Sequence, residues 1–362
     1  MLTARIVIIG GGLAGLYAAY LLEQRGMTDY VLLEARSHVG GRIAATPEGH
    51  DLGATWFWPE LQTQLSELID ALQLPRFEQY ASGDMVIERS RQAAPERMAS
   101  YFSAPPSMRL AGGMAALTDA LQAAIPAERT MTGQRVRRLQ RLSGHIHVEV
   151  DDEQGNPVSY QAEHVLLALP PRLAAAIAYT PALPATLADT WSGTPTWMAP
   201  HAKYVAIYKH AFWRSQGLSG HARSAGGPLA EIHDASADDG PPALFGFLGV
   251  PAIKRQDVSA EVLLAHCRAQ LVRLFGPQAG SPVAEYLKDW ATDSCTATPA
   301  DWQGQGEHPD APAAQAGDGR WQGRITGIGS EWSPHFPGYL AGAIDAAQRG
   351  VASLSKTMET TP

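Results

Sequence analysis

An α/β fold organised around a buried parallel sheet is predicted by three features within the first 34 residues. The run Ile6-Val7-Ile8-Ile9 is apolar throughout, as a strand covered on both faces must be. Gly10, Gly12 and Gly15 follow at once in the G-x-G-x-x-G spacing. Glu34 then closes a second apolar run, Tyr30 to Leu33, about twenty residues further on. Strand, glycine turn, helix, strand and acid stand in the order and spacing of an adenine-dinucleotide site.

Each part has a physical task. Gly10 permits a tight turn out of the first strand, Gly12 lets the backbone approach a pyrophosphate, and Gly15 allows close contact between helix and strand. The helix begins near Leu13 and Ala14, so its free N–H groups and positive end meet the phosphate charge. Glu34 is placed to accept hydrogen bonds from the ribose hydroxyls. Two plainer readings compete for the segment. Ile6 to Leu22 behind Arg5 could be a signal peptide or a membrane anchor, but the glycine triplet, the short length and the lack of a small-residue cleavage site before Glu23 argue against both. An ordinary nicotinamide-binding fold is not excluded by the first 34 residues alone.

Composition narrows the class. A chain of 362 residues is long enough for two packed lobes. Its formal charge of −8 disfavours nucleic acid and anionic membrane as partners. Cys267 and Cys295 make no disulfide framework, which points to a reducing cytoplasm. The one close histidine pair, His145 and His147, falls on an alternating strand and reads as a solvated face rather than a metal site. No metal is expected.

Motifs beyond Glu34 decide the cofactor. Glu34-Ala35-Arg36, Gly40-Gly41-Arg42 and Asp51-Leu52-Gly53-Ala54-Thr55-Trp56 resemble the double-glycine signature of the flavin-containing amine oxidase family, the relatives of monoamine oxidase and polyamine oxidase. Arg109 to Met114, with Leu117 and Leu121, is similar to that family's G-G-M segment, and Val136 with Leu139 to its adenine-contacting strand. His164 to Pro171 resembles the strand and turn that return from the flavin domain. Ile325 to Glu331, including Ser330, and Pro337 to Ile344, including Leu340, resemble its closing flavin motif. The matches run in order along nearly the whole chain. They imply FAD, and noncovalent FAD, because Cys295 lacks the flanking glycines and tyrosine found at covalent attachment.

Pattern and resemblance together divide the chain. A Rossmann-like FAD-binding lobe is expected from residues 1–75, 107–180 and 320–356, and a discontinuous α+β substrate lobe with a mixed sheet from 76–106 and 181–300. Residues 303–323, rich in Gly, Pro, Ala and Gln, read as an extended loop. The first substrate-lobe insertion is shorter than in the resemblance to monoamine oxidase, which leaves the walls of the site open.

The resemblance also implies roles for single residues. Lys203 lies on an alternating strand and shares its face with Val205 and Ile207, an unusual place for a charge. It matches the family lysine that reaches flavin N5 through a water; the plain alternative is a lysine snorkelling at a strand edge. Tyr339 matches one wall of the aromatic cage that flanks the substrate amine. Trp302 is the candidate for the other wall by spacing from Trp290, itself placed among the cofactor residues, and core packing explains Trp302 equally well. Trp56, Phe57 and Trp58 suggest a bulky apolar wall after Gly53-Ala54-Thr55. The helix after Gly338 would aim its free N–H groups, Leu340 first, at the flavin pyrimidine edge.

The activity implied is oxidation of a small-molecule amine to an imine, with molecular oxygen reduced to hydrogen peroxide. An L-amino-acid oxidase or a desaturase shares the cofactor, the former needing a pocket arginine for which Arg214 and Arg223 are candidates. A flavin-binding scaffold without turnover is the reading from another class.

Overall fold

The apolar runs Ile6–Ile9 and Tyr30–Leu33 are parallel neighbours with every residue buried, as their composition demands. The computed structural model describes residues 2–100, 103–237, 240–304, 308 and 310–359. The chain forms two compact units: Met1–Arg42, Leu117–Ala199 and Ser294–Pro362 make the first, Ile43–Ala116 and Pro200–Asp293 the second.

In the first unit a five-stranded parallel sheet runs in the order Ile325–Gly327, His164–Leu167, Ile6–Ile9, Tyr30–Leu33, Thr130–Met131. The helices Leu13–Gln24 and Leu340–Glu359 are joined side by side by a hydrogen bond from Gln348 Nε2 to Tyr17 Oη of 2.8 Å. A second sheet is built on the antiparallel meander Arg135–Arg141, Ile146–Asp151, Pro157–Ala162. Its alternation matches the sequence: Ile146, Val148 and Val150 are buried, with half-buried residues between them.

The second unit is built on a seven-stranded mixed sheet ordered Ala284–Asp289, Ala202–Ile207, Ala243–Leu248, Leu229–Asp234, Leu218–Ser224, Asp84–Glu88, Glu96–Ala99. Its two faces differ. Tyr204 and Ala206 pack with Leu263, Cys267, Leu271 and Leu274 of the helix Ala260–Phe275. The alternate residues Val205 and Ile207 join Ala243 and Phe245 on the other face, against Leu52 and Trp56. The helix is capped by Ser259, whose side chain accepts from the Val262 N–H.

The boundaries differ from those expected. Residues 43–75 and 107–116 fall in the second unit, and 181–199 and 294–300 in the first. Tertiary packing explains both shifts. Leu52 and Trp56 pack on the seven-stranded sheet, whereas Leu187 and Trp191 share a core with Val7 and Ile9. The described residues of 303–323 form neither helix nor strand. Ala316 and Trp321 of that stretch are nevertheless buried in the same core, and Trp321 Nε1 donates to the Pro181 carbonyl at 2.8 Å.

Candidate active site

The glycine turn folds as its spacing requires. Gly10 adopts φ +106°, and a Cβ on Gly15 would stand 1.9 Å from the Gly10 carbonyl oxygen. The second glycine pair backs onto the first: the Gly40 N–H donates to the Gly11 carbonyl at 2.9 Å, and a Cβ on Gly41 would stand 2.9 Å from the Gly12 Cα. Glu34 is 4 % exposed. It accepts from the Gly11 N–H at 2.7 Å and the Arg36 N–H at 2.8 Å, with the Arg36 guanidinium 3.6 Å away. The acid therefore braces the turn and still has lone pairs for ribose hydroxyls.

Three observations in this unit fit FAD. The helix from Leu13 has no side-chain cap and no acid in its first turn, so the N–H groups around Leu13, Ala14 and Gly15 face outward under a positive helix end. Among the described residues only the Gly41 Cα, at 3.6 Å, lies near a Cβ built on Gly12, which leaves room for a phosphate against the backbone. Gln134, tied through its N–H to the Glu34 carbonyl at 2.7 Å, holds a buried Oε1 with no hydrogen-bond partner among the described residues, two residues before Val136. Such an acceptor suits the polar edge of an adenine. If Glu34 holds the ribose, Glu34→Ala should weaken FAD binding by about 1.5–3 kcal/mol, roughly ten- to a hundredfold. Full flavin occupancy and an unchanged dissociation constant would remove Glu34 from the site.

The closing motif is organised around Arg42. Its guanidinium donates to Glu331 at 2.6 and 3.0 Å, to Ser330 Oγ at 2.9 Å and to the Trp197 carbonyl at 3.1 Å. Arg42, Ser330 and Glu331 are thus brought together and hold one another. The Gly338 N–H donates to the Ser330 carbonyl at 3.1 Å, and a Cβ on Gly342 would stand 2.0 Å from the Phe336 carbonyl oxygen. The start of the helix Leu340–Glu359 is pinned against that turn. Beside Leu340, the Tyr339 ring stacks on His308 at 4.4 Å and 13°, and His308 stacks on Trp197 at 3.5 Å. His308 and Trp197 escaped the sequence reading. Trp302 follows the one-turn 3₁₀ helix Pro299–Asp301 and is half-buried. Cys295 lies near Arg135, whose Nη2 is 3.4 Å from its sulfur.

Within the second unit, Lys203 is not at a strand edge. Its strand is flanked on both sides, and the residue is 1 % exposed. Its ammonium donates to Thr55 Oγ1 at 2.5 Å and the Gly53 carbonyl at 3.2 Å, and stands 4.1 Å over the Phe245 ring. Gly53 and Thr55, on either side of Ala54, thus lie against Lys203. Trp56 meets Phe245 at 5.3 Å and Phe247 at 6.3 Å, and Trp290 Nε1 donates to the Leu52 carbonyl at 3.1 Å.

Burial pulls the Lys203 ammonium down to about 7, opposed by the Asp51 carboxylate and assisted by the Arg109 guanidinium. Asp51 is buried in turn, accepts from the Met114 N–H at 2.6 Å, and is pushed up by desolvation. Arg109 donates to the Ser236 and Ala235 carbonyls, both at 2.9 Å. Asp51 and Arg109 open two of the sequence motifs, and the structure shows them setting the field around Lys203. Arg214 is held bidentately by Asp234 at 2.8 and 3.0 Å, and Arg223 is an exposed partner of Glu231.

Residues 77–354 match the profile of the flavin containing amine oxidoreductases, and residues 8–72 that of an NAD(P)-binding Rossmann-like domain. A probable flavin-containing monoamine oxidase A of Dictyostelium discoideum is 23 % identical, the alignment covering 95 % of this chain and 96 % of that protein. A putative flavin-containing monoamine oxidase of Mycobacterium tuberculosis is 28 % identical over 68 % of this chain and 52 % of its own length. Among solved structures, cyclohexylamine oxidase from Brevibacterium oxydans superposes with a TM-score of 0.81 at 19 % identity, covering 98 % of this chain and 99 % of that one.

Proposed function

The chain belongs to the family of flavin-containing amine oxidoreductases, and on that footing we propose that it oxidises small apolar amines at the carbon next to nitrogen. The product is an imine, which water hydrolyses, while molecular oxygen is reduced to hydrogen peroxide. FAD, when bound, supplies the redox chemistry by taking a hydride equivalent from the substrate. The chain binds and orients. The Leu13 helix end and Glu34 would hold the dinucleotide, the Leu340 helix end would face the isoalloxazine, and Tyr339 would present its ring to the amine.

The observation that carries this reading is Lys203, a cation 1 % exposed on an apolar, aromatic sheet face. Burying an ammonium is costly, and a packed aliphatic side chain there would be the more stable choice. Retention of an ionisable amine there favours chemistry, with Lys203 holding a water for flavin N5. The apolar neighbours Val205, Phe245 and Trp56 suit the body of an amine rather than a second charge. The engagement of Arg214 by Asp234 favours plain amines over amino acids, whose carboxylate needs an available arginine. Among the described residues neither Cys267 nor Cys295 forms a disulfide, which suits a reducing compartment. Among the described residues no helix is long and apolar enough to cross a membrane.

Anaerobic mixing of the yellow holoprotein with a panel of amines and L-amino acids tests the function. Apolar primary amines should bleach the flavin, and admission of air should release one hydrogen peroxide per substrate. Bleaching by L-amino acids alone would establish the amino-acid oxidase instead. No bleaching by any member would leave a scaffold.

A further inference from the structure

We propose that His221, Glu231 and His233 form a binding site for a divalent transition-metal ion of the zinc class. The three residues are distributed over two neighbouring antiparallel strands, Leu218–Ser224 and Leu229–Asp234. Arg223 pairs with Glu231 and Ala222 with Ile232, so the next step of the register sets His221 opposite His233. Their rings lie 4.7 Å apart, 14° from parallel. Residues two apart on a strand share a face, which brings Glu231 to the same side as His233. One potential ligand atom from each residue lies within 4.8 Å of the other two.

The donor set is chemically selective. Two imidazoles and one carboxylate suit zinc and its neighbours, whereas calcium and magnesium prefer oxygen ligands alone. Ligand atoms on a tetrahedral ion with bonds of about 2.1 Å stand about 3.4 Å apart. The His233 Nε2 to Glu231 Oε1 separation of 2.8 Å is below that value and the 4.8 Å limit above it, so modest side-chain rotations close the site.

The surroundings orient the ligands. His233 is wedged between the Trp56 edge at 4.8 Å and the Phe245 ring at 5.3 Å, while His221 is 7 % exposed. The Glu231 side chain is 37 % exposed, so a fourth ligand can come from water. Its existing cation, Arg223, stands 3.9 Å away with 57 % of its side chain exposed, a weak competitor for a metal. Phe247 lies between Glu231 and Lys203 across the strands, so the ion would sit on the Lys203 face of the sheet.

Chelator-treated, FAD-loaded protein titrated with Zn²⁺ by isothermal titration calorimetry tests the site. The expected result is one high-affinity Zn²⁺ per chain. His233→Asn and Glu231→Gln should each weaken that binding on the order of a hundredfold. Melting temperature and FAD content are read on the same samples. Glu231→Gln, which preserves shape at a part-exposed position, separates a lost ligand from a lost fold. Wild-type protein that takes up no Zn²⁺, or a folded Glu231→Gln variant that binds it as tightly as wild type, overturns the proposal.

Discussion

Lys203→Met should slow the reaction of the reduced enzyme with oxygen by about a hundredfold to a thousandfold, the scale on which one buried charge stabiliser acts. Reduction by amine should change far less. The ammonium is fixed by Thr55 Oγ1 and the Gly53 carbonyl, and it would stabilise the negative charge that develops as oxygen gains electrons. Methionine preserves most of the buried volume and removes the charge together with its hydrogen bonds to Thr55 and Gly53. The acid–base behaviour supplies a second readout. Burial lowers the Lys203 value to about 7, so the ammonium is present below that pH and is lost above it. Wild-type reoxidation should therefore decline as pH rises through about 7, and the variant should show no such step. Stopped-flow mixing of pre-reduced protein with oxygenated buffer measures both. An unaltered rate would leave Lys203 a structural residue.

Arg42→Ala should destabilise the first unit by about 3–5 kcal/mol, because it strands the Glu331 carboxylate, which is 0 % exposed, without its counter-ion. The same change removes the bonds to Ser330 Oγ and the Trp197 carbonyl, so the turn before the Leu340 helix should loosen. Thermal unfolding followed by circular dichroism measures the loss. A double variant with Glu331→Gln should recover part of it, since no buried charge then remains unpaired. A variant as stable as wild type would show that Glu331 finds another cation.

The local parts of this design were legible in the sequence, and the distant ones were not. The strands Ile6–Ile9 and Tyr30–Leu33 and the helix start at Leu13 follow from hydrophobic period and glycine spacing, which act over a few residues. Lys203 was visible because a lysine breaks an alternating apolar face. Its neighbours Asp51 and Arg109 were read as motif letters, and only the fold reveals that their charges meet it. His308 gave no signal, since nothing in its sequence surroundings links it to Tyr339, 31 positions on. His221 and His233 look scattered along the chain, and only hairpin register places them opposite one another. The domain boundaries moved for a related reason. Leu187 and Trp191 carry no mark that assigns them to the core of Val7 rather than to the later sheet.

The pairing of Arg42 with Glu331 also bears on how the protein is made. The partners are 289 residues apart, and the strand Ile325–Gly327 is likewise the last of the parallel sheet's strands in sequence. At about 5–20 residues per second, translation separates Arg42 from its counter-ion by roughly a quarter of a minute to a minute. Throughout that interval the nascent chain carries the apolar Ile6–Ile9 and Tyr30–Leu33 strands without their completed sheet. Within these residues the glycine turn is written early and the motif around Glu331 that closes the same unit is written late. Ribosome-bound chains stalled before Glu331 emerges should accordingly depend on chaperone holding and should not retain flavin.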